Sequence, residues 1–461
     1  MAALLTAKLA IARGAGALSR LRGSGATSLP GRVLMQLEPS AIATLGRRLA
    51  EGSAVISATN GKTTTAAMAA GILAGQGVEL VHNPAGANMA GGVATALLDA
   101  ATASDGIDGR LGLFEVDELW LARVARELRP RAILLGNLFR DQLDRYGELD
   151  AIADSWRELL LASDAQAILN ADDPLLADLG RERAGVVYFG VQDDTLALPG
   201  LAHAADAKHC RNCGAPYIFD AVYLGHLGRY HCASCGRARP EPDVLASNVR
   251  LEGVRSAAFR LTTSEGSAEV RLALPGLYNV YNALAAAALT SSLGVPLAGI
   301  VAGLEATRPA FGRAETVMLS TAQGPRELQI LLVKNPAGAN EVLRTLVLED
   351  GSHEVLGILN DQIADGRDVS WIWDADFELL AGRITSAVCA GNRAADLAAR
   401  LKYAGVEEQR IHVVPDLGAA LAAAAAQGDR ERPLYALPTY TAMLALRELL
   451  ASRGEVAGRW S

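Results

Sequence analysis

From residue 46 to about residue 200, short apolar runs alternate with helical patterns, and this alternation restricts the fold more than any other feature of the chain. AVISATN, LGLFEVDE, RAILLGN, AQAILNADDP and GVVYFG read as strands, and TTAAMAAGILAGQG as a helix after the first of them. Short strands separated by helices need crossover connections, so they predict an α/β fold with a parallel, doubly wound sheet. The rhythm breaks at 203–242, where HCRNCG and HCASCGRARPEP mark an inserted module. SNVRLEGVRSAAFRLTT then reads as antiparallel, and LYNVYNALAAAALTSSLG as a strong helix. Beyond the proline-bearing joint EATRPAFGRAE, the runs LQILLVK, EVLGILN, ITSAVCAG, RIHVVP and PLYALP predict a second α/β section. LGAALAAAAAQG is a helix there, because alanine has the highest helix propensity. The expected division is a lead segment at 1–45 packing on the core, a first domain at 46–308 carrying the insert, and a second at 309–461.

A formal charge of −8 over 461 residues leaves no basic footprint for nucleic acid. The opening 34 residues hold basic but no acidic side chains, which suits either a transit peptide or an amphipathic helix covering the next domain through Leu4, Leu5, Leu9 and Ile11. No apolar stretch reaches the roughly 18 residues of a membrane span. A lipid substrate would therefore be met from the side. The five cysteines form two CxxC pairs and a lone Cys389, and without a secretory signal a reducing cytoplasm is expected. Cys389, in VCAGN, reads as a buried strand residue.

The stretch ATNGKTTT follows the first predicted strand. A strand, a turn at Asn60–Gly61 and a helix opening on Lys62 and Thr63 is an arrangement whose backbone N–H groups cradle phosphates. Lys62 would reach the terminal phosphates and Thr63 would ligate Mg²⁺; the first glycine of the usual phosphate loop is replaced by Ile56. FEVDE sets Glu115 at a strand end, where a second Mg²⁺ ligand belongs; the alternative is a capping carboxylate. GNLFRDQLDRYG, LNADDP, LYNVYNALAAA and FGRAE follow in order. This series resembles the Mur ligase superfamily, ATP-dependent enzymes that form amide bonds. The resemblance implies a Mur-ligase-like central P-loop domain, into which the spacing of the two CxxC pairs inserts a Cys₄ zinc ribbon, and a C-terminal Rossmann-like α/β domain. It assigns Thr59, Asn60, Gly61, Lys62, Thr63, Thr64, Asn279, Asn282 and Arg313 to ATP, and Thr63 with Glu115 to Mg²⁺. Asn282 could instead be a helix-surface amide, and Asp141 and Asp144 fix their loop. Lys62 is expected to contact only phosphate, so its loss should spare the fold. Gln142 and Tyr278 replace two histidines of the superfamily, while Leu331 and Lys334 stand in for its aspartate and histidine. Ordinary amino-acid addition is thereby disfavoured.

Cys210-x₂-Cys213 and Cys232-x₂-Cys235, 18 residues apart and each leading into glycine, have the spacing of two knuckles that place four thiolates around Zn²⁺. Such a closed site is structural. In LNDQIADGRDVSWIWDADFE, Asp361, Asp365, Asp368 and Asp374 share a loop that Trp371 and Trp373 should pin. With TSLPG and the closing YALPTYTAMLALRELL, these features resemble the MurT branch of the superfamily across nearly the whole chain. That resemblance implies amidation of the D-glutamate α-carboxyl of lipid II in peptidoglycan synthesis, at the inner face of the membrane, with ammonia from the glutaminase subunit GatD. It places the essential aspartate in DGxDxSW, and we take Asp368 over Asp365 as the group that attracts and deprotonates ammonium. The competing readings are an amino-acid-adding ligase of the Mur or folylpolyglutamate type and a noncatalytic nucleotide-binding scaffold.

Overall fold

The computed structural model describes residues 2–21, 27–83, 86–102, 106–141, 149–201, 205–308, 313–322 and 324–456. Its first sheet grows from the predicted runs, β1 (Ser53–Ser57), β2 (Leu80–His82), β3 (Leu111–Glu115), β4 (Ala132–Leu135), β5 (Gln166–Asn170) and β6 (Val187–Val191). The hairpin of β7 (Ile218–Leu224) and β8 (Leu227–His231) stands apart, and β9 (Val244–Glu252), β10 (Ser256–Thr263) and β11 (Gly266–Leu272) rejoin the sheet. The strand order is β11-β10-β9-β6-β5-β4-β1-β3-β2, parallel from β2 to β9 and antiparallel beyond. β1, β3 and β4 are buried throughout, which explains their unbroken apolar runs. The three-residue edge strand β2 has too few residues for its own pattern, and only pairing with β3 creates it.

β1 lies between β3 and β4, so the strand order reverses around it. A crevice at the carboxyl ends of the strands is where such sheets take ligands. Helices Lys62–Gly75 and Leu277–Ser292 cover one face, and the apolar residues between them form the core beneath that crevice. Helices Ala2–Leu21, Leu29–Leu37 and Ala41–Gly46 pack with Ala90–Ala100 into the core of the other face. In the first of these, Leu9 and Ala12 are buried whereas Leu4 and Ile11 face outward. Only part of the expected apolar stripe therefore covers the domain, through the helices Leu29–Leu37 and Ala90–Ala100.

The second sheet comprises β12 (Arg313–Thr321), β13 (Gly324–Leu331), β14 (His353–Ile358), β15 (Ile384–Ala390), β16 (Ile411–Val413) and β17 (Leu434–Pro438), ordered β12-β13-β17-β14-β15-β16. Only β12 is antiparallel, an edge strand that the apolar pattern alone does not announce. The alanine run is helical over Leu417–Ala426, with Asp416 accepting the Ala419 N–H at its start. Cys389 is fully buried in β15, and burial pushes its thiol up to about 12.

Candidate active site at the junction of the two sheets

The turn after β1 is shaped by backbone geometry first. Gly61 precedes the helix with φ 83°, and a Cβ there would sit 1.9 Å from Asn282 Oδ1, so glycine is required twice over. Thr59 donates its hydroxyl to Phe139 O (3.2 Å) and accepts the Phe139 N–H (3.0 Å). Asn60 N–H donates to Asn137 Oδ1 (2.8 Å), and the Asn137 amide donates back to Asn60 O (2.9 Å). The Thr59 N–H also donates to Asn137 O (3.0 Å), so the loop after β4 holds the loop after β1 by five bonds. Thr59 serves the loop's shape, and Asn137 is a partner that sequence reasoning passed over although GNLFRDQ contains it.

Lys62 opens the helix and is buried. Its ammonium donates to Ala58 O and to Glu118 Oε2 (2.8 Å). Burial alone would lower its pKa, but the Glu118 carboxylate, with Glu115 and Asp117 behind it, outweighs that effect and raises it. The expectation that Lys62 meets only phosphate is therefore corrected. Removing Lys62 leaves Glu118 buried without its cation. Glu118 itself escaped sequence reasoning because a third acid after a strand looks like a loop residue until the sheet brings it under the loop.

Thr63 donates its hydroxyl to Glu115 Oε1 (2.9 Å), which unites the two residues predicted to share Mg²⁺. Glu115 is held from behind: its N–H donates to Asn83 Oδ1 (2.9 Å), and Asn83 donates to Glu115 O (2.9 Å). Asn282 is buried, accepts from Thr65 (3.3 Å) and donates to Asn279 Oδ1 (3.1 Å), while Asn279 donates to Pro275 O (2.8 Å). The surface-amide alternative for Asn282 is thus excluded. Thr64 is partly exposed on the same turn. The Arg313 side chain, Gln142 and Asp144 lie outside the described residues.

The second sheet reaches the loop directly. Lys334 donates to Thr59 O (3.0 Å) and to Asp141 Oδ2 (2.7 Å), and Asn335 and Asn60 exchange two amide hydrogen bonds (2.9 and 3.3 Å). Leu331, at the position of the superfamily's aspartate, is buried in the core. The acidic loop follows β14 at the same carboxyl end of the sheet. Asp365 is buried there and accepts from the Thr441 N–H (2.7 Å), the Thr441 hydroxyl and the Gln362 N–H (3.3 Å); burial raises its pKa despite those bonds. Asp368 is exposed, and the Ser370 hydroxyl and N–H (2.8 Å from Asp368 Oδ1) hold its pKa below the usual value. Trp371 packs into the core, whereas Trp373 is half exposed against Tyr403 (centroids 5.6 Å). Of the two tryptophans Trp371 therefore helps to pin the loop, together with the buried Ile372 and the Arg400 bonds to Ile372 O and Ala375 O.

In the insert, Cys210, Cys213, Cys232 and Cys235 bring their sulfurs within 4.8 Å of one another. Gly214 and Gly236, at φ 75° and 74°, donate N–H bonds to Cys210 O (2.8 Å) and Cys232 O (2.9 Å), so the two CxxCG turns repeat one geometry. The Arg237 N–H draws the Cys235 thiol down to about 6, ready to ligate as thiolate. A four-thiol set of this size could hold Zn²⁺ and leaves no position for substrate. The ribbon is anchored by Arg239, which donates to the fully buried Asp172 (2.5 Å). Tyr281 of the helix Leu277–Ser292 donates to the same carboxylate (2.6 Å). Asp173 caps the helix Pro174–Leu179 and accepts the Leu138 N–H (2.9 Å). LNADDP is thus a latch joining sheet, ribbon and helix.

A phosphate-type loop at a sheet's switch point, a Thr–Glu pair beside a buried lysine, and a second α/β sheet closing over the loop define a Mur-ligase-type fold. The Mur ligase middle domain matches residues 56–215, and the MurT ligase C-terminal domain matches 332–443. The lipid II isoglutaminyl synthase (glutamine-hydrolyzing) subunit MurT of Streptococcus pneumoniae (strain ATCC BAA-255 / R6) is 35% identical over 95% of this chain and 94% of its own. The same subunit of Staphylococcus aureus (strain N315) is 32% identical over 94% of each. The chain belongs to the MurT family, a branch of the Mur ligases. Among solved structures, a pseudomurein peptide ligase type C from Methanothermus fervidus aligns with TM-score 0.65 at 22% identity, covering 88% of this chain and 79% of that one. MurF from Acinetobacter baumannii aligns with TM-score 0.64 at 19% identity, covering 91% and 80%. These two share the fold.

Proposed function

We propose that this chain is the synthetase subunit of a lipid II isoglutaminyl synthase. It would convert the D-glutamate α-carboxyl of the stem peptide to an amide with ATP and with ammonia from a glutaminase partner, GatD, at the inner face of the cell membrane. The observation that carries the reading is the convergence of Lys62, Thr63 and Glu115 beneath a loop that Lys334 and Asn335 touch from the second sheet. We place the domain limits at 46–308 and 309–461.

A carboxylate resists attack by ammonia because oxide is a poor leaving group. Transfer of the γ-phosphoryl group to the carboxylate oxygen releases ADP and leaves an acyl phosphate; ammonia then adds to the carbonyl carbon, phosphate departs and one proton is lost. Lys62, already cationic, neutralises charge on the transferring phosphoryl group, and Arg313 at the joint is proposed to add a second cation. Thr63 and Glu115 offer the oxygen pair that a hard divalent cation takes, and Mg²⁺ bound there would supply charge neutralisation between phosphates. Thr59, Asn60, Gly61 and Thr64 shape or line the phosphate loop, and Asn279 and Asn282 buttress it. A carboxyl held below its usual range is a weak base, so Asp368 acts by attracting the ammonium and orienting ammonia. Asp365, tied to Thr441, positions the loop.

Given ATP, Mg²⁺ and lipid II, the purified chain should amidate with ammonium salts and not with glutamine, and adding the glutaminase partner should confer glutamine use. Glutamine-dependent amidation by the isolated chain would overturn the two-subunit reading, and absence of ATP hydrolysis under every condition would favour a scaffold. Asp368→Asn should retain ATP binding while amide formation falls by about 10². Asp365→Asn should instead lower the melting temperature, since it replaces one of the two oxygens that accept from the Thr441 N–H and hydroxyl with an NH₂ donor. Full activity of the Asp368 variant, measured by mass spectrometry of the stem peptide, would move the role elsewhere.

A further inference from the structure

The helix Ala2–Leu21 turns the wrong face outward for a protein meeting only water. Leu4, Ile11 and Leu18 are 63%, 57% and 53% exposed. Seven-residue spacing drifts by only about 20° per step, so the three lie in one line roughly 21 Å long. The exposed positions around them are Thr6, Ala7, Ala10, Gly14 and Ala17, and the charged side chain that flanks the line, Lys8, is turned to Glu38. This is not a slipped helix, because the opposite face is fixed. Leu9 and Ala12 are buried, Lys8 pairs with Glu38 (2.9 Å), and Arg13 donates to Leu98 O (2.7 Å) and to Ala101 O.

We propose that this helix is an interfacial membrane anchor, laid flat on an anionic lipid bilayer with Leu4, Ile11 and Leu18 in the acyl boundary. Charge chooses this occupant. Residues 1–37 contain five Lys or Arg and no Asp or Glu, in a chain whose formal charge is −8; Lys8 and Arg13 are taken up by the protein body, which leaves Arg20, Arg22 and Arg32 for an anionic surface. A second copy of the helix would set cations against cations, whereas anionic headgroups complement them while the apolar line enters the boundary. Among the described residues no helix is long and apolar enough to cross a membrane, so attachment from the side is the geometry open to this segment. The inference deepens the proposed function, because a lipid-linked substrate puts the reaction at a bilayer and a flat helix would hold the ligase there.

Flotation with vesicles of phosphatidylglycerol and cardiolipin, free of lipid II, tests the anchor apart from the chemistry. The full chain should float with these vesicles, bind phosphatidylcholine vesicles at least about tenfold more weakly, and lose binding as salt rises. The triple variant Leu4→Gln/Ile11→Gln/Leu18→Gln alters only exposed positions. It should melt as the unchanged chain does, lose at least about tenfold in vesicle binding, and keep its hydrolysis of ATP in solution. Vesicle binding unchanged in the triple variant, or no flotation of the unchanged chain at low salt, overturns the proposal. So does a triple variant whose only defect is lost self-association or lost binding of the glutaminase, since either would assign the stripe to a protein partner. Failure of amidation with intact flotation would refute the proposed function and leave the anchor standing.

Discussion

Lys62→Ala is expected to reduce amidation by about 10³ or more, the scale of removing a charge that stabilises a developing anion in a desiccated site. It should also destabilise the free protein. The ammonium and Glu118 form a buried ion pair at 2.8 Å, with side chains only 10% and 4% exposed. Removing one partner of such a pair costs about 3–5 kcal/mol, because the other charge stays buried alone. The two effects separate in a second variant. Lys62→Met with Glu118→Gln removes both charges, so stability should recover toward that of the unchanged chain while amidation stays as low as in Lys62→Ala. Calorimetric melting and a single-turnover phosphate-release assay report the two outcomes. Normal turnover in Lys62→Ala would remove the phosphate assignment, and an unchanged melt would remove the ion pair from the stability argument.

Cys210→Ser should release the metal and loosen the latch behind the site. The four sulfurs lie close enough to share one ion, and metal binding to such a set is folding free energy for the module that provides it. Loss of one thiolate should destabilise the ribbon on the order of 5 kcal/mol. Arg239 belongs to the segment that follows the second knuckle and covers Asp172, whose other partner is Tyr281. Disordering that segment exposes a carboxylate that burial otherwise drives upward in pKa. The variant should therefore lose zinc by atomic spectrometry and melt several degrees lower, and the loop after β5 should exchange its amides faster. Chelation of the unchanged chain should reproduce these effects. If the purified chain holds no stoichiometric zinc and Cys210→Ser melts normally, the ribbon is held by its hairpin and aromatic contacts alone.

Local chemistry made much of this protein legible in its sequence. Strand periods, the Asn–Gly turn before a helix, and two CxxCG turns each depend on residues within a few positions of one another, so the pattern carries the geometry. Three of the four edge strands of the two large sheets, β2, β11 and β12, escaped because each takes its form from a neighbour. The tertiary structure alone decided which distant side chains meet. Glu118 reaches Lys62 across 56 positions, Tyr281 reaches Asp172 across 109, and Lys334 reaches Thr59 across 275. It also decided that Asp365 is buried and Asp368 exposed, a difference that two aspartates three residues apart cannot show in sequence. The physical reason is that burial and charge pairing depend on strand order and on how one sheet closes over another. Those are long-range properties, set by the packing of the entire chain.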